Sequence, residues 1–275
     1  MTKKQRKHCA TILLWYDEHK RDLPWRRTRD PYRILVSEVM LQQTQVSRVI
    51  EKYNAFLRAF PNTKQLAEAR TADVITAWKG LGYNRRALFL QRTAIAVRND
   101  FGGRFPKTRE ELLTLPGVGA YTARAILSFA FGQSTPVLDT NHRKFYQKTF
   151  FGDTIQTDVK LLTKAEEVVD WIETEYGLSR VYDWNQALMD WVSANTQDYT
   201  LPRKPKKKRP IPFKDTDRYI RGNIIDMLRE TQKIGIATLR RIYSDIDDDR
   251  FTRIIENLKK DQLIVQEKRS IVLPT

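Results

Sequence analysis

The tract Arg203–Lys214, RKPKKKRPIPFK, most constrains how this chain can fold. It holds seven basic residues, three prolines and no acid. Proline removes main-chain donors and like charges repel, so neither helix nor strand is expected and the tract reads as an extended linker. A solvated hinge and a phosphate-contacting arm are both compatible with that composition. The linker separates a body, residues 1–202, from a shorter module, residues 215–275. The body carries 30 Lys+Arg against 22 Asp+Glu and the module 12 against 11, so the net charge of +16 lies mainly in the body and the tract. The default partner of such a surface is a polyanion, most often nucleic acid. A hydrophobic content of 41% is enough for a packed core, and no uncharged apolar run approaches the roughly 18–20 residues of a membrane span. The start, MTKKQRKHCATILLWYDEHK, lacks the long apolar core and cleavage site of a signal peptide. A soluble, intracellular protein is therefore expected. Cys9 is the only cysteine, which excludes an internal disulfide, an all-cysteine zinc site and an iron–sulfur cluster. His8, His19 and His142 are too few to suggest a histidine metal centre, so no metal site is expected.

The body reads as helices joined by short loops. Asp30-Pro31 supplies an N-cap and a first-turn proline for a helix through YRILVSEVMLQQTQV, and a second follows to about Phe60. Further helical patterns run near Leu66–Trp78, Asn84–Asp100, Arg109–Leu113, Ala120–Phe131, Asn141–Phe150, Val159–Glu175 and Asp183–Asn195. No alternating β pattern of useful length interrupts them. In the module, DRYIRGNIIDMLRE, ATLRRIY and DDRFTRIIENLKK predict three short helices, and QLIVQEKRSIVL two strands around a charged turn. Three helices and a terminal hairpin suggest a winged helix. DNA binding, protein contact and packing on the body all stay open for it, although its near-neutral charge argues against strong independent phosphate binding.

Three local features carry chemistry. Leu115-Pro116-Gly117-Val118-Gly119 lies between two helical patterns. It is a plain helix–helix turn or a hairpin whose N–H groups, with the next helix's positive end, suit a phosphate. Glu38 is mid-helix beside the apolar stripe of Ile34, Leu35 and Leu41. It is either a buried glutamate tied to a basic partner or a carboxyl kept protonated by desolvation as a general acid. Asp139 precedes a helical pattern, as an N-cap does, and a carboxylate there stays ionised. An ionised group can also stabilise an oxocarbenium-like sugar.

A glycine-rich hairpin followed about 20 residues later by an aspartate resembles the helix-hairpin-helix superfamily of DNA glycosylases, which includes endonuclease III. LPWRR at 23–27, RDPY at 29–32, SEVMLQQTQV at 37–46, GLGY at 80–83, LPGVGAYTA at 115–123, LDTN at 138–141 and WNQALMD at 184–190 resemble the A/G-specific adenine DNA glycosylases. The resemblance spans nearly all of residues 10–195. It implies a mainly α, two-lobed glycosylase fold, with lobes of about 30–135 and of 1–29 plus 136–202, followed here by the winged-helix-like domain.

It also implies roles. Glu38 would protonate the leaving base at a ring nitrogen and position water, Asp139 would face the cationic sugar, and Asn141 would orient the pair. Tyr121 stands where bifunctional members carry an amine nucleophile, which implies hydrolysis to an abasic site without strand cleavage. Arg26, Trp25 and Gln186 match positions of the base pocket, and Gln43, Thr44 and Tyr83 those that enter the duplex after base flipping. Without the resemblance, Gln43, Thr44 and Gln186 read as exposed polar helix surface and Trp25 as core. Gly117, Val118, Gly119 and Lys206, Lys207 and Lys208 would meet the DNA backbone. The resemblance allows a monovalent cation at the Gly117–Gly119 hairpin and otherwise no cofactor.

Two departures qualify it. The four cysteines that usually hold an iron–sulfur cluster fall here on Thr196, Arg203, Lys206 and Pro212, and the usual C-terminal domain for 8-oxoguanine is replaced by the module. Tyr121 and Asn84 also fit the thymine/uracil mismatch glycosylases, whereas Gln42-Gln43-Thr44 and WNQALMD favour adenine. The expectation is a monomeric, DNA-associated enzyme of the cytoplasm or nucleoid. It would act on double-stranded DNA bearing a mismatch or damaged base, with no membrane partner. Its target is adenine opposite 8-oxoguanine or guanine, with thymine or uracil opposite guanine as the alternative and a non-enzymatic DNA-binding regulator as the third reading.

Overall fold

A computed structural model describes residues 1–201 and 211–275. The predicted Lys206, Lys207 and Lys208 arm lies outside the described residues. The described chain forms two compact units. The first comprises Met1–Glu38, Phe105–Thr114 and the chain from Val118 onward to the end of the first described stretch. The second comprises Val39–Arg104, Leu115–Gly117 and the C-terminal module.

In chain order the helices are α1 (Lys3–His19), α2 (Pro31–Leu41), α3 (Val46–Ala59), α4 (Thr63–Glu68), α5 (Thr71–Ala77), α6 (Arg85–Asp100), α7 (Arg109–Thr114), α8 (Ala120–Phe129), α9 (Thr140–Tyr146), α10 (Asp158–Tyr176) and α11 (Ser179–Ala194). Helix α1, which the sequence reading passed over, starts in a capping box: Gln5 N–H donates to Thr2 Oγ1 at 3.2 Å and Thr2 N–H to Gln5 Oε1 at 2.9 Å. The core of the first unit is packed from α1, α9, α10 and α11, with Ile12, Phe145, Val168, Trp184 and Leu188 inaccessible to solvent.

Two helical expectations need correction. The helix predicted through YRILVSEVMLQQTQV stops at Leu41, because Gln43 takes a left-handed backbone with φ 55°. The helix predicted over Leu66–Trp78 is two helices, α4 and α5, because Ala69 at ψ 148° and Arg70 at ψ 137° are extended.

The C-terminal module contains α12 (Asp217–Thr231), β1 (Lys233–Gly235), α13 (Ile236–Ile242), α14 (Asp248–Lys260), β2 (Val265–Glu267) and β3 (Ser270–Val272). The strands form an antiparallel sheet in the order β1-β3-β2, with Ile271 opposite both Ile234 and Gln266. This is the winged-helix-like arrangement, with one strand more than the sequence reading foresaw. Its core, including Ile224, Leu239, Ile254 and Ile271, continues into Ile75 of α5 and Leu88 of α6.

The two glycines of the hairpin Leu115–Gly119 stand in different surroundings. Gly117 has φ +80°, and a Cβ added there would stand 2.6 Å from Phe89 Cβ. Gly119, the N-cap of α8, has ordinary extended backbone (φ −93°, ψ 179°) and open space where a side chain would go. Gly117→Ala should therefore destabilise the fold by about 1–3 kcal/mol. Gly119→Ala should leave the melting temperature nearly unchanged, because its methyl meets open space. Thermal melts of both variants check this. Equal melting temperatures for the two would contradict the distinction.

Candidate active site

The residues predicted to do the chemistry are gathered in the first unit. Glu38 comes from α2, whose proline start and apolar stripe bury its inner face; the residue is 6% exposed. No ion pair reaches its carboxyl among the described residues. Burial pushes Glu38 up to about 7, and nearby Asp139 adds to the shift, while a hydrogen bond from Tyr121 and the more distant charge of Arg26 oppose it. Glu38 is thus a desolvated carboxyl and not one tied to a basic partner among the described residues.

Arg26 offsets the burial of Glu38 only in part, because its guanidinium is hydrogen-bonded to Asp190. Its Nη1 donates to Asp190 Oδ2 at 2.7 Å and its Nη2 to Asp190 Oδ1 at 2.8 Å, a bidentate pair. Arg21 adds a third cationic contact, Nε to Asp190 Oδ1 at 2.7 Å. Asp190, the last residue of WNQALMD, thus holds the cation that acts on Glu38, a role the sequence reading did not assign. Among the described residues Arg26 Nε is buried and without a hydrogen-bond partner.

Asp139 is the N-cap of α9. Its Oδ1 accepts from the main-chain N–H of His142 at 2.8 Å and contacts the imidazole Nδ1 of His142 at 2.6 Å. Burial pushes Asp139 up, but the His142 imidazole and the main-chain N–H groups of His142 and Asn141 outweigh it, and the carboxyl stands below its usual range. His142, fully buried at the third position of α9, was not singled out in the sequence. The signal for it was available, since a residue three beyond an N-cap reaches back to the cap.

Tyr121 lies in the first turn of α8 and hydrogen-bonds Glu38; burial raises its phenol well above the ordinary value. It packs with Tyr182 and Met189 on a small apolar cluster of Ile34, Ala125, Phe129 and Val137. Asn185 fixes the chain that leads into Asp139: its Oδ1 accepts from Val137 N–H at 3.2 Å, and its Nδ2 donates to Thr135 O and Ser128 Oγ, each at 2.9 Å. Among the described residues the Asn141 side chain makes one long contact, Nδ2 to Met189 O at 3.4 Å, while its main-chain N–H donates to Asp139. Gln186 is buried, and its carboxamide makes no hydrogen bond among the described residues. Trp25 is buried as well.

The residues predicted to enter the duplex belong to the second unit. Gln43 and Tyr83 both have left-handed backbones, φ 55° and 46°, which cost energy in residues other than glycine. Arg86 holds them there. Its Nη1 donates to the carbonyls of Val39, Met40 and Gln42 at 2.8, 3.0 and 2.6 Å. Its Nη2 donates to Leu81 O at 2.8 Å, Gly82 O at 3.1 Å and Thr44 Oγ1 at 3.2 Å. One buried guanidinium thus ties the turn of Gln43 and Thr44 to the loop of Tyr83. Desolvation lowers Arg86 to about 10, still charged at neutral pH. Arg86→Ala strands these carbonyls and should cost roughly 3 kcal/mol or more. Arg86→Lys should rescue little, because an ammonium cannot reach both loops as a planar fork does. Denaturant unfolding of both variants checks this; a lysine variant of full stability would contradict it.

Among the described residues no group of three or more His, Cys, Asp or Glu is placed to hold a metal, and Cys9 is buried and unpaired. No helix of the described residues is long and apolar enough to cross a membrane.

Residues 36–170 match the HhH-GPD superfamily of base excision DNA repair proteins. The adenine DNA glycosylase of Mycolicibacterium smegmatis is 33% identical over 279 residues, covering 93% of this chain and 92% of that protein. The thymine/uracil-DNA glycosylase of Methanothermobacter thermautotrophicus is 33% identical over 205 residues, covering 74% of this chain and 89% of that one. The solved structure of a thermostable thymine-DNA glycosylase matches with a TM-score of 0.61 at 32% identity, over 69% of this chain and 86% of that one. Similarity that runs through both carboxyl-bearing segments and covers nearly the whole of a curated relative shows that the chain belongs to the HhH-GPD superfamily, among its DNA glycosylases.

Proposed function

We propose that this DNA N-glycosylase removes adenine from mispaired double-stranded DNA by hydrolysis and leaves an abasic site. The observation that carries this reading is the opposed state of two carboxyls in one unit, Glu38 raised by burial and Asp139 lowered by its donors. Extrusion of the target nucleotide costs a few kcal/mol and presents the base to the site. Glu38 gives its proton to a ring nitrogen of the base as the glycosidic bond breaks and its electron pair leaves with the base. Asp139, held anionic, faces the positive charge that develops on the sugar. Glu38, now a carboxylate, accepts a proton from the attacking water, which supplies the new hydroxyl at the sugar carbon. Tyr121 donates to Glu38 and offers no amine for a Schiff base. Trp25, Gln186 and Arg26, the last braced by Asp190, would line the base pocket, and Asn141 would orient the pair of carboxyls. Gln43, Thr44 and Tyr83 fill the duplex, and Gly117, Val118 and Gly119 hold its backbone. A monovalent cation at that hairpin would rest on main-chain carbonyls, and no step runs through it.

The domain division into a body of 1–202, a linker of 203–214 and a module of 215–275 belongs to the same reading. So does a monomer working on chromosomal DNA in the cytoplasm or nucleoid. The single cysteine cannot supply an iron–sulfur cluster. A second reading, removal of thymine or uracil opposite guanine, is favoured by the likeness to the archaeal enzyme and by Tyr121 and Asn84. Labelled duplexes with A opposite 8-oxoguanine, A:G, T:G, U:G and normal pairs, treated with enzyme and then alkali, separate the two. Adenine release is expected. Release of thymine or uracil alone would replace this reading with the second, and a borohydride-trapped adduct would contradict a purely hydrolytic enzyme.

A further inference from the structure

The exposed ring of Tyr83 is covered by a residue of the C-terminal module. The guanidinium carbon of Arg218 lies 3.6 Å from the ring centroid, and its Nη1 donates to the Tyr83 hydroxyl at 2.5 Å. Arg218 Nε and Nη2 donate to nothing among the described residues. Nor does any carboxylate there pair with it, whereas Arg221, Arg229, Arg240 and Arg250 of the same module each have one. The module is firmly seated on the helices beside Tyr83. Arg229 Nη2 donates to Ile75 O at 2.7 Å and to Asn84 Oδ1 at 3.0 Å, Arg85 pairs with Asp261 at 3.3 Å, and Ile75 and Leu88 share the module's core. A planar cation therefore stands over an exposed aromatic ring and bonds its hydroxyl, with unused donors on Nε and Nη2.

We propose that Arg218 is a specificity-determining residue that reads guanine, the base left opposite the vacated position. A ring that enters a duplex carries a stacked guanidinium to the level of the bases, and an arginine fork matches the O6 and N7 acceptors of guanine. Cytosine presents an amino donor at the corresponding edge and repels it. The inference rests on the reading of Tyr83 as the residue that enters the duplex. It is independent of which base is removed, because guanine is the partner in both A:G and T:G pairs.

The test uses the full chain and duplexes with an uncleavable abasic-site analogue opposite guanine or cytosine, read by fluorescence anisotropy. The wild type should prefer guanine, and Arg218→Ala should reduce that preference about tenfold, the discrimination of one bidentate contact. Arg218→Lys should also lose the preference while keeping the salt dependence of binding, because it retains charge without the fork. Equal weakening on both duplexes would overturn the proposal and mark Arg218 as a phosphate contact. So would an unchanged preference in either variant, or a wild type without preference. The measurement needs no excision, so failure of the adenine reading appears separately, in the base-release panel.

Discussion

Asp139→Asn is expected to slow single-turnover base release by about 10³-fold, roughly 4 kcal/mol of lost charge stabilisation, while the protein melts within a few degrees of the wild type. The two halves of that expectation have separate causes. Asparagine caps a helix as well as aspartate does, and its carbonyl oxygen can still accept from the His142 main chain and imidazole. What it cannot supply is negative charge opposite the cationic sugar. The low position of Asp139, secured by His142 and the start of α9, keeps that charge in place even in mildly acidic buffer. A variant that retains a tenth or more of the wild-type rate would remove Asp139 from the chemistry.

Glu38→Gln should lower the rate by about 10²–10⁴-fold, the usual contribution of a general acid, and should raise stability at the same time. The sign follows from proton binding. Glu38 stands at about 7 in the folded protein against an ordinary value of 4.5, so between those pH values the folded state holds more protons than the unfolded one. Stability contributed by this group is present below pH 4.5 and is lost as pH rises to 7; above that the deficit is about 3 kcal/mol. Glutamine has no charge to desolvate, so the variant should melt several degrees above wild type at pH 8 and close to it at pH 4.5. A variant less stable than wild type at pH 8 would show that Glu38 is ionised and paired, contrary to its surroundings here.

The parts of this site that were legible in the sequence are those set by local chemistry. A glutamate beside an apolar stripe predicts burial, Asp139 before a helical pattern predicts an N-cap, and the two apolar segments around a charged turn in QLIVQEKRSIVL predict a hairpin; each element has that form. The parts that were not legible depend on partners far along the chain. Glu38 stands high partly because Asp190, 164 residues from Arg26, holds that cation. Gln43 sits in a helical pattern and leaves it because Arg86, 44 residues beyond Gln42, draws the carbonyls out of the helix ladder. Strand β1 was missed for a different reason: Lys233-Ile234-Gly235 is too short to show a period, and only pairing with β3 makes it a strand. Local propensity was overridden wherever a buried charge had to be satisfied at long range.

The most direct test is the pH dependence of single-turnover base release from the substrate that the duplex panel identifies, measured from pH 5 to 9. With Glu38 required as an acid and standing near 7, the rate should hold steady on the acid side and fall about tenfold per pH unit above pH 7, a limb that Glu38→Gln abolishes. A rate that stays level or rises from pH 7 to 9 in the wild type would contradict a protonated Glu38 as the proton donor.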